Sequence, residues 1–370
     1  MSQRFTWGWM QVLVAFLIQS VSSGALMYSY SVIAVPFNDT FQPSRMVLML
    51  GIPAMMLVSG LVSPFLGASI DKKPLRGLLT FALAATAGGF VLLSMVTAMW
   101  QVPLIYAALM AFGLSLLGPL SASTLVSRWF LRRRGMALGI AAMGTSFGGF
   151  LYPQLIQAVS DALEWRSALR VMGLTIGLLI IPVWLLTVDH PRKKGLDPDG
   201  KPLLATAGDM PQGEYNSTGA VIRVPAFWAI ALIVGVMFAA FTAVLGNLSP
   251  FVLDSGLSAE QGARMIAMIA LMAIPGTLLF GWLADRLDTR AAMALVVASI
   301  ALGLLCYIGA SYFWIMAGSV LIGLGGGGMI PIWSAQLANA FGPWSYGRVM
   351  GLMNPVLMPF NLAAAPLAGR

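Results

Sequence analysis

A helical protein that crosses the membrane many times, built as two pseudo-symmetric halves, is predicted by three observations. Of the 370 residues, 59% are hydrophobic and only 9% are charged. The mean hydropathy of +0.86 is too high for a soluble domain, which must cover itself with charge. Eleven apolar runs each supply about the 20 residues that a helix needs to cross a bilayer, and helices satisfy the backbone within lipid. Finally, a charged stretch occurs twice. Gly67, Asp71, Lys72 and Arg76 are matched by Gly281, Asp285, Arg286 and Arg290, each 214 residues further on.

The net charge of +8 follows the topology. Alternating the loops between the two sides places sixteen of the 21 Lys and Arg on one face, including Arg4, Lys72, Arg132, Lys193, Arg286 and Arg348. The other face holds Arg45, Arg166, Arg170 and Arg264, with Arg370 left aside at the end. This asymmetry predicts a cytoplasmic N-terminus in the plasma (inner) membrane and implies no nucleic-acid partner. A single cysteine, Cys306, excludes an intrachain disulfide. Met1 to Thr6 carries no cleavable signal pattern, so the first run is expected to be a retained helix.

Span 1 is expected from about Trp9 to Pro36 and is rich in small and polar residues, among them Gln19, Ser20, Ser22, Ser23, Gly24, Tyr28 and Tyr30. Such a helix either faces a cavity or packs closely on its neighbours. Span 2 (about Met46 to Leu66) ends at the first charged motif, and the nearly apolar span 3 (about Leu78 to Met99) is expected to face lipid. Span 4 (about Pro103 to Val126) runs into Arg128, Trp129 and Arg132 to Arg134, most simply positive-side anchors with an interfacial Trp. Span 5 follows at once to about Val159, and Gly135, Gly139, Gly144, Gly148 and Gly149 predict a packing seam along it. Span 6 (about Ala168 to Val188) closes the first half, 1–188.

Residues 189–224 form the only long hydrophilic stretch, expected to be a cytoplasmic linker. His190, the only histidine, is expected to be solvated there, with a titrating switch as the alternative. The second half, 225–370, holds spans 7 (about Pro225 to Phe251), 8 (about Gln261 to Leu283), 9 (about Ala291 to Ala310), 10 (about Tyr312 to Ala338) and 11 (about Gly347 to Leu367). The glycines of span 10 from Gly323 to Gly328 lack the Lys-Ser/Thr of a phosphate loop and predict close packing or bending. Phe341, Gly347, Gly351 and Pro366 repeat Phe130, Gly135, Gly139 and Pro153 at offsets of 211 to 213. The repeat predicts a twelfth span. The sequence stops at Arg370 as span 11 closes, so a truncated or partial sequence is expected rather than an eleven-span design.

Two six-span halves, a linker, and Gly-x-x-x-Asp-(Arg/Lys)-x-x-x-Arg after spans 2 and 8 resemble the major facilitator superfamily. Trp7-Gly8-Trp9 and the stretch Arg128-Trp129-Phe130 with Arg133-Arg134-Gly135-Met136-Ala137-Leu138-Gly139-Ile140 are similar to its monocarboxylate porter and oxalate/formate antiporter branch. The first motif departs from the family pattern at Ser69 and Pro74, and the second lacks the Gly before its last basic pair. The resemblance implies that Asp285 meets the start of span 5 near Gly135, and Asp71 the start of span 11 near Gly347. A carboxylate at a helix N-terminus gains ~0.3 to 2 kcal/mol. Gly67, Asp71, Lys72, Arg76, Gly281, Asp285, Arg286 and Arg290 are therefore expected to form a gate.

A secondary transporter working by alternating access is the function implied, with a site between the halves. Its candidate substrate contacts are Gln19, Tyr28, Tyr30, Tyr152, Asn247, Arg264, Trp333, Asn354 and Asn361. Carboxylate porters of the resembled branch place an arginine where this sequence has Thr277, and some place a lysine where it has Tyr30; Arg264 is the only basic substitute. The alternative for Arg264 is an interfacial anchor. A small carboxylate or other organic anion is the first substrate expectation. An exporter of neutral or amphiphilic compounds is the alternative, although span 5 lacks the Gly-Pro pair typical of drug/proton antiporters. A non-transporting receptor or assembly subunit is the third reading. No metal-ligand cluster, nucleophile with its base, or carboxylate pair points to an enzyme, a metal or a cofactor. The expected partners are a small-molecule substrate, the bilayer and a coupling ion or counter-substrate, with the protein a monomer.

Overall fold

The computed structural model describes residues 3–202, 217–342 and 344–368. Spans 1 to 10 are helices long and apolar enough to cross a membrane: Trp7–Phe41, Gly51–Lys72, Leu75–Leu93, Gln101–Trp129, Arg134–Ala162, Trp165–Leu186, Pro225–Leu248, Glu260–Ala284, Thr289–Tyr307 and Tyr312–Phe341. Span 11 is the helix Tyr346–Ala368. The protein is all-α and multi-pass. Among the described residues the only strands pair Leu196–Asp197 with Lys201–Pro202.

Several spans are interrupted where the sequence predicts continuity. Span 1 loosens into a π-helix over Val21–Tyr28, where the backbone N–H and the side chain of Ser29 both donate to the Gly24 carbonyl, at 3.0 and 2.8 Å. A serine that bonds back onto the preceding turn competes with the regular ladder, which helps explain the wider turn. Span 4 contains a π-turn at Tyr106–Met110 and breaks at Gly118, which is extended and lets Pro119 start a fresh helix. Span 2 begins at Gly51, after a separate turn at Arg45–Leu48. It ends where Pro74 forces Lys73 into an extended conformation. Span 3 does not lie wholly in lipid: Leu79, Leu83, Thr86 and Phe90 form a buried stripe, whereas Phe81 and Leu92 on other faces are exposed.

The chain divides into two compact units. The first comprises Met1–Leu131, Ala141–Pro211 and Tyr346–Gly351, and the second Arg132–Ile140, Gln212–Ser345 and Leu352–Arg370. Span 5 thus starts in the second unit and continues in the first, and span 11 does the reverse. The glycine seam of span 5 follows this division. Gly139 packs on the Thr277 carbonyl in the second unit, while Gly144 and Gly148 pack on the carbonyls of Phe16 and Ser20 in the first. Within the second unit, spans 8 and 10 are drawn together by small residues, with Gly327 against Ala273 and Gly276 against Leu324.

Residues 189–202 of the linker fold with the first unit, whereas 217–224 belong to the second. Gln11 receives the Val188 N–H at 3.0 Å and donates to the Leu186 carbonyl at 2.9 Å. Trp129 donates its indole N–H to Val188 at 2.8 Å, and Lys194 sits 4.0 Å over the Trp7 ring. His190 is therefore buried, at 5% exposure, and not solvated as its polar surroundings in sequence predict. Residues 203–216 lie outside the described set.

Candidate functional site

The first four N–H groups of a helix have no acceptor within it. At the start of span 5, Gly135 and Met136 donate theirs to Asp285, Gly135 to Oδ1 at 2.6 Å and Met136 to Oδ2 at 2.9 Å. At the start of span 11, Gly347 donates to Asp71 Oδ1 at 3.1 Å and Arg348 to Oδ2 at 2.8 Å. Each carboxylate spans two successive amides, so hydrogen bonding and the helix dipole act together.

The Gly-x-x-x-Asp spacing has a direct physical origin. Residues four apart share a helix face. A methyl on Gly67 would collide with the Gly347 carbonyl, and one on Gly281 would lie 2.7 Å from the Gly135 carbonyl. Bare backbone at the glycine lets the helices touch, and one turn later the aspartate reaches the neighbouring N-terminus.

Arg128, 6% exposed, lies 3.7 Å from Asp71 and donates to the Ile70 carbonyl at 3.1 Å. The equivalent position in the second half is Asn339, whose Oδ1 accepts from Arg134 at 2.8 Å. On sequence alone Arg128 reads as an anchor, and only the repeat offset of 211 applied to span 4 pairs it with Asn339 and points to this role.

The remaining motif bases serve other contacts. Arg76 donates from Nε and Nη2 to the Thr187 carbonyl, at 3.2 and 3.0 Å, and its N–H goes to Asp189 at 3.2 Å. It thus ties the start of span 3 to the end of span 6. Arg286 stacks 4.2 Å over Trp282, while Lys72 and Arg290 are exposed.

The candidate substrate residues fall into separate groups. In the first unit Gln19 is buried with its Oε1 unpartnered. The next residue, Ser20, donates to the Leu17 carbonyl at 2.7 Å, Tyr152 packs against Gly24, and Tyr28 lies beside Gly149 with 58% exposure. Tyr30 turns away from them: its hydroxyl donates to the Leu48 carbonyl and its ring meets Tyr106 edge-on at 5.2 Å.

In the second unit Trp333 donates to the Met353 sulfur at 3.1 Å, next to the half-buried Asn354, and Asn361 accepts from Thr242 at 3.4 Å. Asn247 lines a cavity of about 580 Å³ with Asp254, Leu304 and Tyr307. Arg264 is exposed and pairs with Glu260 at 2.7 Å. Thr277, where the resemblance to carboxylate porters implies an arginine, is buried and donates to the carbonyls of Ala273 and Gly327 at 2.7 and 3.1 Å.

Among the described residues, ten helices long and apolar enough to cross a membrane and the further helix Tyr346–Ala368, with an aspartate capping the starts of spans 5 and 11, define a polytopic membrane protein. The chain belongs to the Major Facilitator Superfamily, whose sequence profile matches residues 13–366. Among curated proteins it is similar to the uncharacterized MFS-type transporter YcxA of Bacillus subtilis (strain 168), with 23% identity over 93% of this chain and 83% of that one. It is also similar to monocarboxylate transporter 11 of Homo sapiens, with 26% identity over 98% of this chain and 76% of that one. A bacterial homologue of the iron transporter ferroportin, solved in an outward-facing state, shares the fold with a TM-score of 0.72 at 14% identity, over 98% of this chain and 92% of that one. The family's members are transporters, not enzymes.

Proposed function

We propose that this protein is a secondary transporter of a small organic solute, most simply a monocarboxylate or related organic anion, working by alternating access. It acts as a monomer in the plasma membrane with its N-terminus in the cytoplasm, coupled to an ion or counter-substrate. The observation that carries this reading is the pair of caps. Asp71 on span 11 and Asp285 on span 5 occupy repeat-equivalent places, as a gate that opens and closes symmetrically requires. In this reading they close the cytoplasmic side, while Gln19, Tyr28, Tyr152, Asn247, Trp333, Asn354 and Asn361 supply substrate contacts. The anion assignment draws on relatives named monocarboxylate transporters over 98% of this chain. In this reading Arg264, on the same span as Thr277, supplies the counter-charge.

A second reading, export of neutral or amphiphilic compounds, is favoured by the pairing of exposed Arg264 with Glu260 and by Thr277 occupying the place of a charge. Carboxylate uptake into proteoliposomes by wild type and Arg264→Gln separates the two. Uptake that the substitution abolishes supports the anion reading. Uptake that survives removes Arg264 from the site, and the absence of carboxylate uptake by wild type leaves the neutral reading.

A further inference from the structure

The loop between spans 4 and 5 passes from one compact unit to the other between Leu131 and Arg132. On its first side the anchors are firm: Trp129 and Phe130 are buried, and Phe130 meets Trp9 at 5.3 Å. The Leu131 side chain is 54% exposed. The Leu131 N–H donates to Asp199 Oδ1 at 3.0 Å, across 68 residues of sequence. Asp199 sits at the tip of the linker hairpin in a left-handed conformation, φ 63° and ψ 17°, which an aspartate enters only at a cost. Four residues after Leu131, the Gly135 N–H meets Asp285. The repeat-equivalent loop is built differently. There Gly342, with φ 75°, matches Leu131 and supplies the turn through its own backbone freedom.

We propose that Asp199 is a positioning residue for the span 5 cap: by holding Leu131 it presents the amides of Gly135 and Met136 to Asp285. The linker hairpin then serves the span 5 side of the gate. This inference rests on the gate reading above.

Amide hydrogen exchange on the purified full chain tests it with a readout that needs no substrate. Asp199→Gly keeps the left-handed backbone accessible and removes the acceptor, whereas Asp199→Asn keeps both. The Gly variant is expected to speed exchange at Gly135 and Met136 by about tenfold or more, to leave Gly347 and Arg348 unchanged, and to be rescued by the Asn variant. Unchanged exchange at Gly135 and Met136 in Asp199→Gly overturns the proposal, as does faster exchange confined to the hairpin. Asp285→Ala distinguishes the two levels of inference. If it fails to speed exchange at Gly135 and Met136, the cap itself falls; if it does speed exchange while Asp199→Gly does not, only the positioning role falls.

Discussion

Gly67 and Gly347 face each other with no room for a methyl group between them, because a Cβ on Gly67 would overlap the Gly347 carbonyl. The approach of the helices is set there, and Asp71 makes use of it one turn later.

Gly67→Ala should therefore destabilise by about 1–3 kcal/mol through overpacking, with a lower melting temperature in detergent. Gly77→Ala is the control: nothing lies within 4 Å of its Cβ position, and the gain in helix propensity should leave the melt unchanged or slightly raised. Equal effects at the two sites would contradict the close approach.

Removing Asp71 takes the nearest carboxylate away from a buried guanidinium. Asp71→Ala is expected to cost about 3–5 kcal/mol, because Arg128 keeps its burial and loses its 3.7 Å partner. Combining it with Arg128→Met should recover part of the loss, a coupling of at least about 1 kcal/mol. Additive losses in the double-variant cycle would show that the two side chains are independent.

The hydroxyl of Tyr30 satisfies a buried carbonyl at Leu48. Tyr30→Phe should lower stability by about 1–3 kcal/mol and leave the half-saturation of transport unchanged. The reverse pattern, altered half-saturation with an unchanged melt, would return Tyr30 to the substrate.

Burial, reinforced by the charges of Arg128, Arg192 and Lys193 and opposed by Asp189, pushes the His190 imidazole down to about 4 from its ordinary 6.5. The folded protein then binds this proton more weakly than the unfolded chain. Stability is full above about pH 6.5 and falls as pH drops toward 4, by about 3 kcal/mol in all. Melting curves for wild type and His190→Asn across this window should converge in slope at neutral pH and diverge in acid. Parallel curves throughout would contradict a buried neutral imidazole.

The spans and the duplication were legible in the sequence because a bilayer demands long apolar runs, and because charges are rare enough for Asp71 and Asp285 to stand out. The interruptions were not. The π-segment at Val21–Tyr28 depends on Ser29 choosing the Gly24 carbonyl, and the break at Gly118 sits in a run that hydropathy treats as uniform. The linker misled for a related reason. His190 and Asp199 look like solvent-facing residues until Trp129, Gln11 and Leu131 supply the surface on which they dock. Of the candidate site, both capping acids were legible from their repetition. Arg128 beside Asp71 was hidden among four arginines, any of which could anchor the chain.

The exchange of helix starts between the units also sets an order of assembly. When span 5 leaves the ribosome, the carboxylate that caps it lies 150 residues ahead, about 8–30 s of synthesis at ~5–20 residues per second. Span 11 has no such delay, since Asp71 was made 276 residues before Gly347. The nascent first half therefore waits in the membrane with two open amides at the head of span 5. Whatever shields them in that interval, water or lipid headgroups, has to be displaced before the protein is complete.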